Sequence, residues 1–403
     1  MSKLAEQADA LGVSLAVEHL LPGLLDIIQD RSVDQNQYQE YVRILFGELG
    51  KLISFLARST ISAGYNGIRD YLTPLYSEFF LNGIVDDETR AELMEMAVTQ
   101  MCMITKVFMY EDRADKILPI LLELLKDDEE KRIAGLELLD VLAADFGQEI
   151  CQNYLMYEIV SLQDDPRYKV RKETVRRIIN ISKVVSSNVF LGVLLPVFKK
   201  LCTDHIWGVR RQAVEVLPEM CMLAPDDIKN GALLDIFKKF TQDSSKWVKQ
   251  AATQFLGPFI VCYRGLNPSP ELLQFYVTMV TQNLKPTGGQ SNAQNQEDVL
   301  YHCAFNFPAV LLTLGSSAWP QLKPIHEKLV RDSRPKVRKT LAYSLFELAK
   351  ILGPTMTESE LLPVLFHFMK DSDQVREGVM LSLPDLIAQL TAEQRESYVY
   401  KFA

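Results

Sequence analysis

DPRYKVR at 165–171, DHIWGVR at 204–210, DSSKWVK at 243–249, DSRPKVR at 332–338 and DSDQVR at 371–376 are one phrase written five times. Three of the four intervals between its acidic residues are 39 residues (204 − 165, 243 − 204, 371 − 332). The wide interval, 332 − 243 = 89, accommodates a degenerate copy and an insertion. Self-similarity at this period predicts a helical solenoid, in which each unit buries its apolar face on its neighbours. A solenoid offers long surfaces in place of one deep pocket, so binding is the first expectation and catalysis the second.

Working outward, the residues after each phrase repeat as well. From its valine, positions +4, +8 and +11 are apolar, as in Val209, Ala213, Leu217 and Met220, or Val337, Leu341, Leu345 and Leu348. This spacing lays one stripe along a helix. Upstream, a proline precedes the acidic residue by eight positions at Pro22/Asp30, Pro119/Asp127, Pro196/Asp204, Pro324/Asp332 and Pro363/Asp371. Proline inside an apolar helix removes a hydrogen bond and bends it. A bent first helix, a short turn and a straight second helix form the habit of HEAT repeats.

The reading is therefore an all-α, right-handed, armadillo-like solenoid of about nine HEAT-like pairs. The pairs run roughly 14–58, 65–110, 114–146, 148–186, 188–223, 225–264, 269–315, 318–353 and 358–390. An N-terminal repeat block spans 1–282, and a flexible Gly/Ser/Asn/Gln-rich loop spans 283–298 within the seventh repeat. A C-terminal block spans 299–403. Residues 391–403 resemble the first helix of a tenth unit, so the array reads as truncated.

Composition narrows the function. The formal net charge is −9 and the pI about 5.3. That argues against general nucleic-acid binding and against anionic membranes, both of which ask for a basic face. No apolar stretch reaches the length of a membrane span, and the first residues lack the apolar core of a signal peptide. The six cysteines are scattered without metal-ligand spacing and read as buried thiols of a reducing compartment. The five histidines form no metal or nucleophile motif. No metal, cofactor or catalytic group is expected.

Within the phrase, Asp165, Asp204, Asp243, Asp332 and Asp371 are expected to start and cap the second helices, each cap worth ~1 kcal/mol. The cations Arg171, Arg210, Lys249, Arg338 and Arg376 recur in register and would align with the aspartates as a ladder between repeats. Tyr168, Trp207 and Trp247, with Arg167, Arg210 and Lys246, would line consecutive turns as an aromatic and basic strip suited to a partner.

CTDHIWGVRRQAVE (202–215), WVKQAATQFLGPFI (247–260), HCAFNFPAVLLTLG (302–315), KVRKTLAYSLFELAKILG (336–353) and the shortened turn MKDSDQVREGV (369–379) resemble the family of phosphatase 4 regulatory subunit 1. That family is related to the scaffold subunit of phosphatase 2A. The resemblance implies a non-catalytic regulatory scaffold that binds a serine/threonine phosphatase catalytic subunit and phosphoprotein substrates along its turns. It also implies a cytoplasmic setting, with a nuclear one as a second location. It departs from the family in lacking a long acidic insertion near 284–298 and further C-terminal repeats. The competing readings are a transport-receptor-like or tubulin-binding HEAT scaffold, and a HEAT-like DNA glycosylase, which the acidic balance disfavours.

Overall fold

The computed structural model describes residues 4–29, 34–60, 62–82, 85–266, 270–283 and 290–402. Every regular element among them is helical. The chain divides into two units, Met1–Val209 and Arg210–Ala403. Each is a stack of antiparallel helix pairs, so the all-α solenoid expected from the 39-residue period is what forms. A helix at Leu4–Leu11 precedes the first pair and one at Ala392–Phe402 follows the ninth.

Second helices form the core of each unit. They include Gln35–Ala57, Asp87–Val107, Glu129–Ile150 and Tyr168–Val184 in the first unit, and Gln290–Leu314, Pro335–Leu352 and Asp373–Ala388 in the second. The valine of every phrase copy is fully buried: Val170, Val209, Val248, Val337 and Val375. So are Leu217, Leu256, Leu341, Leu345 and Leu348 on the same stripe. The sixth second helix is broken into Lys246–Gln254 and Leu256–Val261, with Phe255 at φ −92° and ψ 6°. Beside the break, a Cβ on Gly257 would lie 2.2 Å from Asn306 Oδ1. Only glycine lets the neighbouring helix Gln290–Leu314 approach that closely.

First helices are bent by a recurring device. One π-helical turn opens each of seven of them, at Ala16–Leu20, Ile68–Leu72, Arg113–Ile117, Cys151–Leu155, Phe190–Leu194, Lys229–Leu233 and Thr357–Leu361. In the fifth pair, Leu195 N–H reaches back to Phe190 O, and Pro196 follows with no N–H to give. The wider turn moves the carbonyl that the proline ring would otherwise strike. Proline is not the whole cause. The same turn forms at Cys151–Leu155 and Lys229–Leu233, where Tyr157 and Asp235 hold the proline position. Conversely, Pro324 lies inside Trp319–Val330 without such a turn. Asp30 of the Pro22 pair lies outside the described residues.

The loop expected at 283–298 is narrower than its composition suggests. Asn283 closes the helix Pro270–Asn283, and Gln290–Asp298 forms the first turns of Gln290–Leu314. Glutamine is a good helix former, and elongation from a packed helix carries a polar segment along. Residues 284–289 lie outside the described residues.

Candidate functional site: the turns between paired helices

In the first three repeats the aspartate is a true N-cap. Asp34 accepts from Asn36 N at 3.0 Å, Asp86 from Thr89 N at 2.8 Å and Asp128 from Lys131 N at 2.9 Å. From the fourth repeat on, the expected role changes. Asp165, Asp204, Asp243 and Asp332 lie two or three residues ahead of their helices. Their Oδ1 atoms accept the N–H two residues on, from Arg167 (2.8 Å), Ile206 (2.8 Å), Ser245 (2.7 Å) and Arg334 (3.0 Å). These are Asx turns that shape the entry to the helix. Asp371 accepts from Ser372 N instead, at 2.6 Å.

What their carboxylates chiefly do is receive an arginine 33 residues earlier in the chain. Arg171 Nε and Nη2 meet Asp204 at 2.6 and 3.0 Å. Arg210 meets Asp243 at 2.7 and 2.8 Å, and Arg338 meets Asp371 at 2.7 and 2.8 Å. Each is a two-pronged fork, the geometry in which arginine binds a carboxylate most tightly. Arg171 and Arg338 also donate Nη1 to the carbonyl oxygens of Asp165 (2.7 Å) and Asp332 (2.6 Å) in their own turns. One guanidinium thus ties a turn to its neighbour. The pair Arg171 and Asp204 is only 7% and 6% exposed.

Protonation follows the geometry. Burial pushes the Asp204 and Asp243 carboxyls up, but the arginine forks and the turn N–H groups outweigh it and leave both below the usual range. At Asp371 the Arg338 hydrogen bonds dominate and bring the carboxyl to about 2.

The ladder has a rung that the repeated phrase does not reveal, Arg132 Nε to Asp165 at 2.9 Å. The signal was present, since Asp127 and Arg132 flank a turn in which no valine precedes the cation. It also has a gap. Val299 stands 33 residues before Asp332 (332 − 299 = 33), so the preceding second helix offers no arginine at the rung spacing. Arg334, in the same turn, fills the role at 2.6 and 2.7 Å. Arg376 turns back on Asp373, and Lys249 makes no rung among the described residues.

The partner strip divides under this geometry. Arg210 belongs to the ladder, its side chain 14% exposed and locked on Asp243, so it is not a surface contact. Tyr168, Trp207 and Trp247 stand in the first turns of their helices and are 45%, 45% and 46% exposed. In the first unit Arg167 and Lys169 face the single carboxylate of Glu129 at 3.5 and 3.3 Å, leaving the turn basic. In the second unit Lys246 Nζ lies 4.8 Å from the centroid of Trp247, a cation–π contact.

One cavity was not foreseen. Between Asp87–Val107 and Glu129–Ile150 a space of about 840 Å³ is lined by Phe80, Met94, Val98, Ile133, Arg90 and Lys131. Met94 occupies the rung position for Asp127 (127 − 94 = 33). Lys131 takes Asp127 instead, at 2.7 Å, and its own Nζ also reaches Leu81 O at 2.9 Å. Among the described residues, no group of acidic, histidine and cysteine side chains could hold a metal ion.

Residues 303–403 match the family model for the protein phosphatase 4 regulatory subunit 1 middle domain. Over 112 residues the chain is 42% identical to serine/threonine-protein phosphatase 4 regulatory subunit 1 of Homo sapiens, covering 28% of this chain and 12% of that one. It is 25% identical over 444 residues to regulatory subunit 4 of Homo sapiens, covering 100% of this chain and 47% of that one. The chain therefore spans less than half the length of these curated relatives. Among solved structures, Kap121p superposes with a TM-score of 0.62 at 14% identity, over 96% of this chain and 42% of that one. That likeness speaks for the fold alone. The RanGTP-bound form gives 0.57 at 15% identity, over 92% and 38%. The chain is thus similar to regulatory subunits of protein phosphatase 4, by family model over its C-terminal repeats and at 25% identity over its whole length.

Proposed function

We propose that the chain is a non-catalytic scaffold that binds a serine/threonine phosphatase catalytic subunit, and with it phosphoprotein substrates, along its turns. The observation that carries this reading is the division of labour within each turn. The Asp–Arg forks are saturated internally, while the aromatic residues beside them keep nearly half their surface in water. Large aromatics beside cations anchor partners well. The kinship with phosphatase 4 regulatory subunits supplies the partner's class. Holding enzyme and substrate on one scaffold raises their effective concentration. The metals and the chemistry then belong to the bound catalytic chain. The same reading sets the protein in the cytoplasm or nucleus, which imaging of a tagged chain tests.

The binding experiment uses the turns of the first unit. Trp207→Ala combined with Arg167→Glu is expected to lower capture of the phosphatase 4 catalytic subunit about tenfold, with helical content and melting temperature nearly unchanged. Undiminished capture by the folded double variant would move the docking surface off these turns. A collapsed melting temperature would assign Trp207 to packing between repeats.

A further inference from the structure

A second surface lies on the second helices of the last three pairs, away from the turns. At the sixth residue after the phrase valine, earlier repeats carry Arg176, Glu215 and Gln254. Tyr343 and Leu381 hold that position in the last two, and Phe305 precedes Tyr343 by the same interval (343 − 305 = 381 − 343 = 38). Phe305 is 63% and Leu381 61% exposed, and Tyr343 is half-buried between them. The helices are locked side by side, since Ser382 Oγ donates to Ala342 O at 2.8 Å, and a Cβ on Gly378 would lie 3.0 Å from Lys339 O. Positions at this interval on packed neighbours make a row with a step of roughly 8–10 Å, the distance between helix axes. Leu312, also exposed, lies two turns beyond Phe305 on the same helix.

The charges beside this row differ from end to end: exposed Glu347 and Asp385 lie one turn beyond Tyr343 and Leu381, and Lys336 stands at the Phe305 end. Lys336 Nζ sits 4.2 Å from the ring centroid of Tyr301, which stacks on Phe305 at 6.4 Å. No carboxylate lies within ion-pair distance of Lys336 among the described residues. Lys339 spans Tyr343 and Glu377, at 5.6 and 2.7 Å. A cation stacked on an aromatic face at one end of an apolar row is half of an ion pair.

We propose that this row is a docking track for an extended segment of a partner protein, with an apolar side chain at every third residue and an acidic residue at one end. A chain in the extended polyproline-II form has three residues per turn and advances about 3.1 Å per residue, so every third side chain faces the row at a step of roughly 9 Å, matching that between helices. The apolar side chains would rest on Phe305, Tyr343 and Leu381, and the acidic one would meet Lys336. All four residues lie within the stretch at 303–403 that matches the phosphatase 4 regulatory subunit 1 middle-domain model. The proposal does not use the phosphatase reading and stands or falls apart from it.

The probe is a fluorescein-labelled synthetic decapeptide with leucine at every third position and two aspartates at one end. Fluorescence anisotropy with the whole chain should show saturable binding. Phe305→Asp or Leu381→Asp should weaken it about tenfold or more, the worth of one apolar anchor. Lys336→Glu, or lysines in place of the peptide's aspartates, should also weaken it, and the two changes together should restore part of the loss. All three positions are exposed, so circular dichroism should be unchanged. Absence of saturable binding, or binding indifferent to Phe305→Asp and Leu381→Asp, overturns the proposal. So does a dimer in gel filtration that Leu381→Asp dissolves, because the row would then be covered by a second copy.

Discussion

At the scale of single residues, Asp204 has a larger part than a helix cap. A lost cap costs ~1 kcal/mol. Removing this carboxylate also strands the buried guanidinium of Arg171, and breaking a buried pair from one side costs roughly 3–5 kcal/mol. Asp204→Ala should therefore destabilise about as much as Leu217→Ala, for which a buried leucine predicts about 2–5 kcal/mol. Urea titration of the two variants compares them, and a cost for Asp204→Ala near that of an ordinary cap would reduce the fork to decoration. His326 makes a second case. It is buried against Phe307 and Trp319, its Nε2 has no hydrogen-bond partner, and burial lowers it to about 4. The unfolded chain holds histidine near ~6.5, so between these values the unfolded state binds more protons. The stability His326 contributes is fully present above pH ~6.5 and is lost as pH falls through about 4, by up to ~3 kcal/mol. His326→Phe should flatten the dependence of the urea midpoint on pH across that window. An unchanged slope would show that His326 charges freely.

At the scale of elements, the π-helical turn is the unit's signature. Its presence at Cys151–Leu155 and Lys229–Leu233 without proline assigns it to the bend that the stacked pairs demand. Proline fits the bend because its missing N–H falls where the bonding pattern has already shifted to the fifth residue back. Pro196→Ala should then keep the bend and change stability by no more than about 1 kcal/mol, against the ~3 kcal/mol that a proline costs in a regular helix interior. Denaturant titration measures the change in stability, and backbone chemical shifts of residues 187–201 report whether the bend is kept. A straightened helix in the variant would make proline the cause of the turn.

At the scale of the whole molecule, each repeat touches mainly its neighbours, so local features set local properties. The forks keep successive second helices in register wherever arginine and aspartate stand 33 residues apart. Where Met94 replaces the arginine, the first unit opens a cavity. Where Val299 replaces it, the second unit recruits Arg334 from the receiving turn. A formal charge of −9 is spread over a surface whose aromatic residues gather at turns in both units and on the last second helices.

The sequence by itself determined the period, the helix pairs, the buried stripe after each phrase valine and the exposed aromatic residues of the three turns at Tyr168, Trp207 and Trp247. All of these are local, since a helix face and a turn are written within a few residues of one another. The likeness to phosphatase 4 regulatory subunits was also legible, from strings of consecutive residues. Only the tertiary structure decided which partner each charge takes. Asp204 could be a cap or half of a fork, and Arg210 a surface contact or a rung, with the same neighbours in sequence. The choice rests on where the next repeat sets its turn, and that follows from how the apolar stripes interlock. Position in the stack also decides whether an equivalent residue, such as Arg176 or Leu381, shows a charge or an apolar face to a partner.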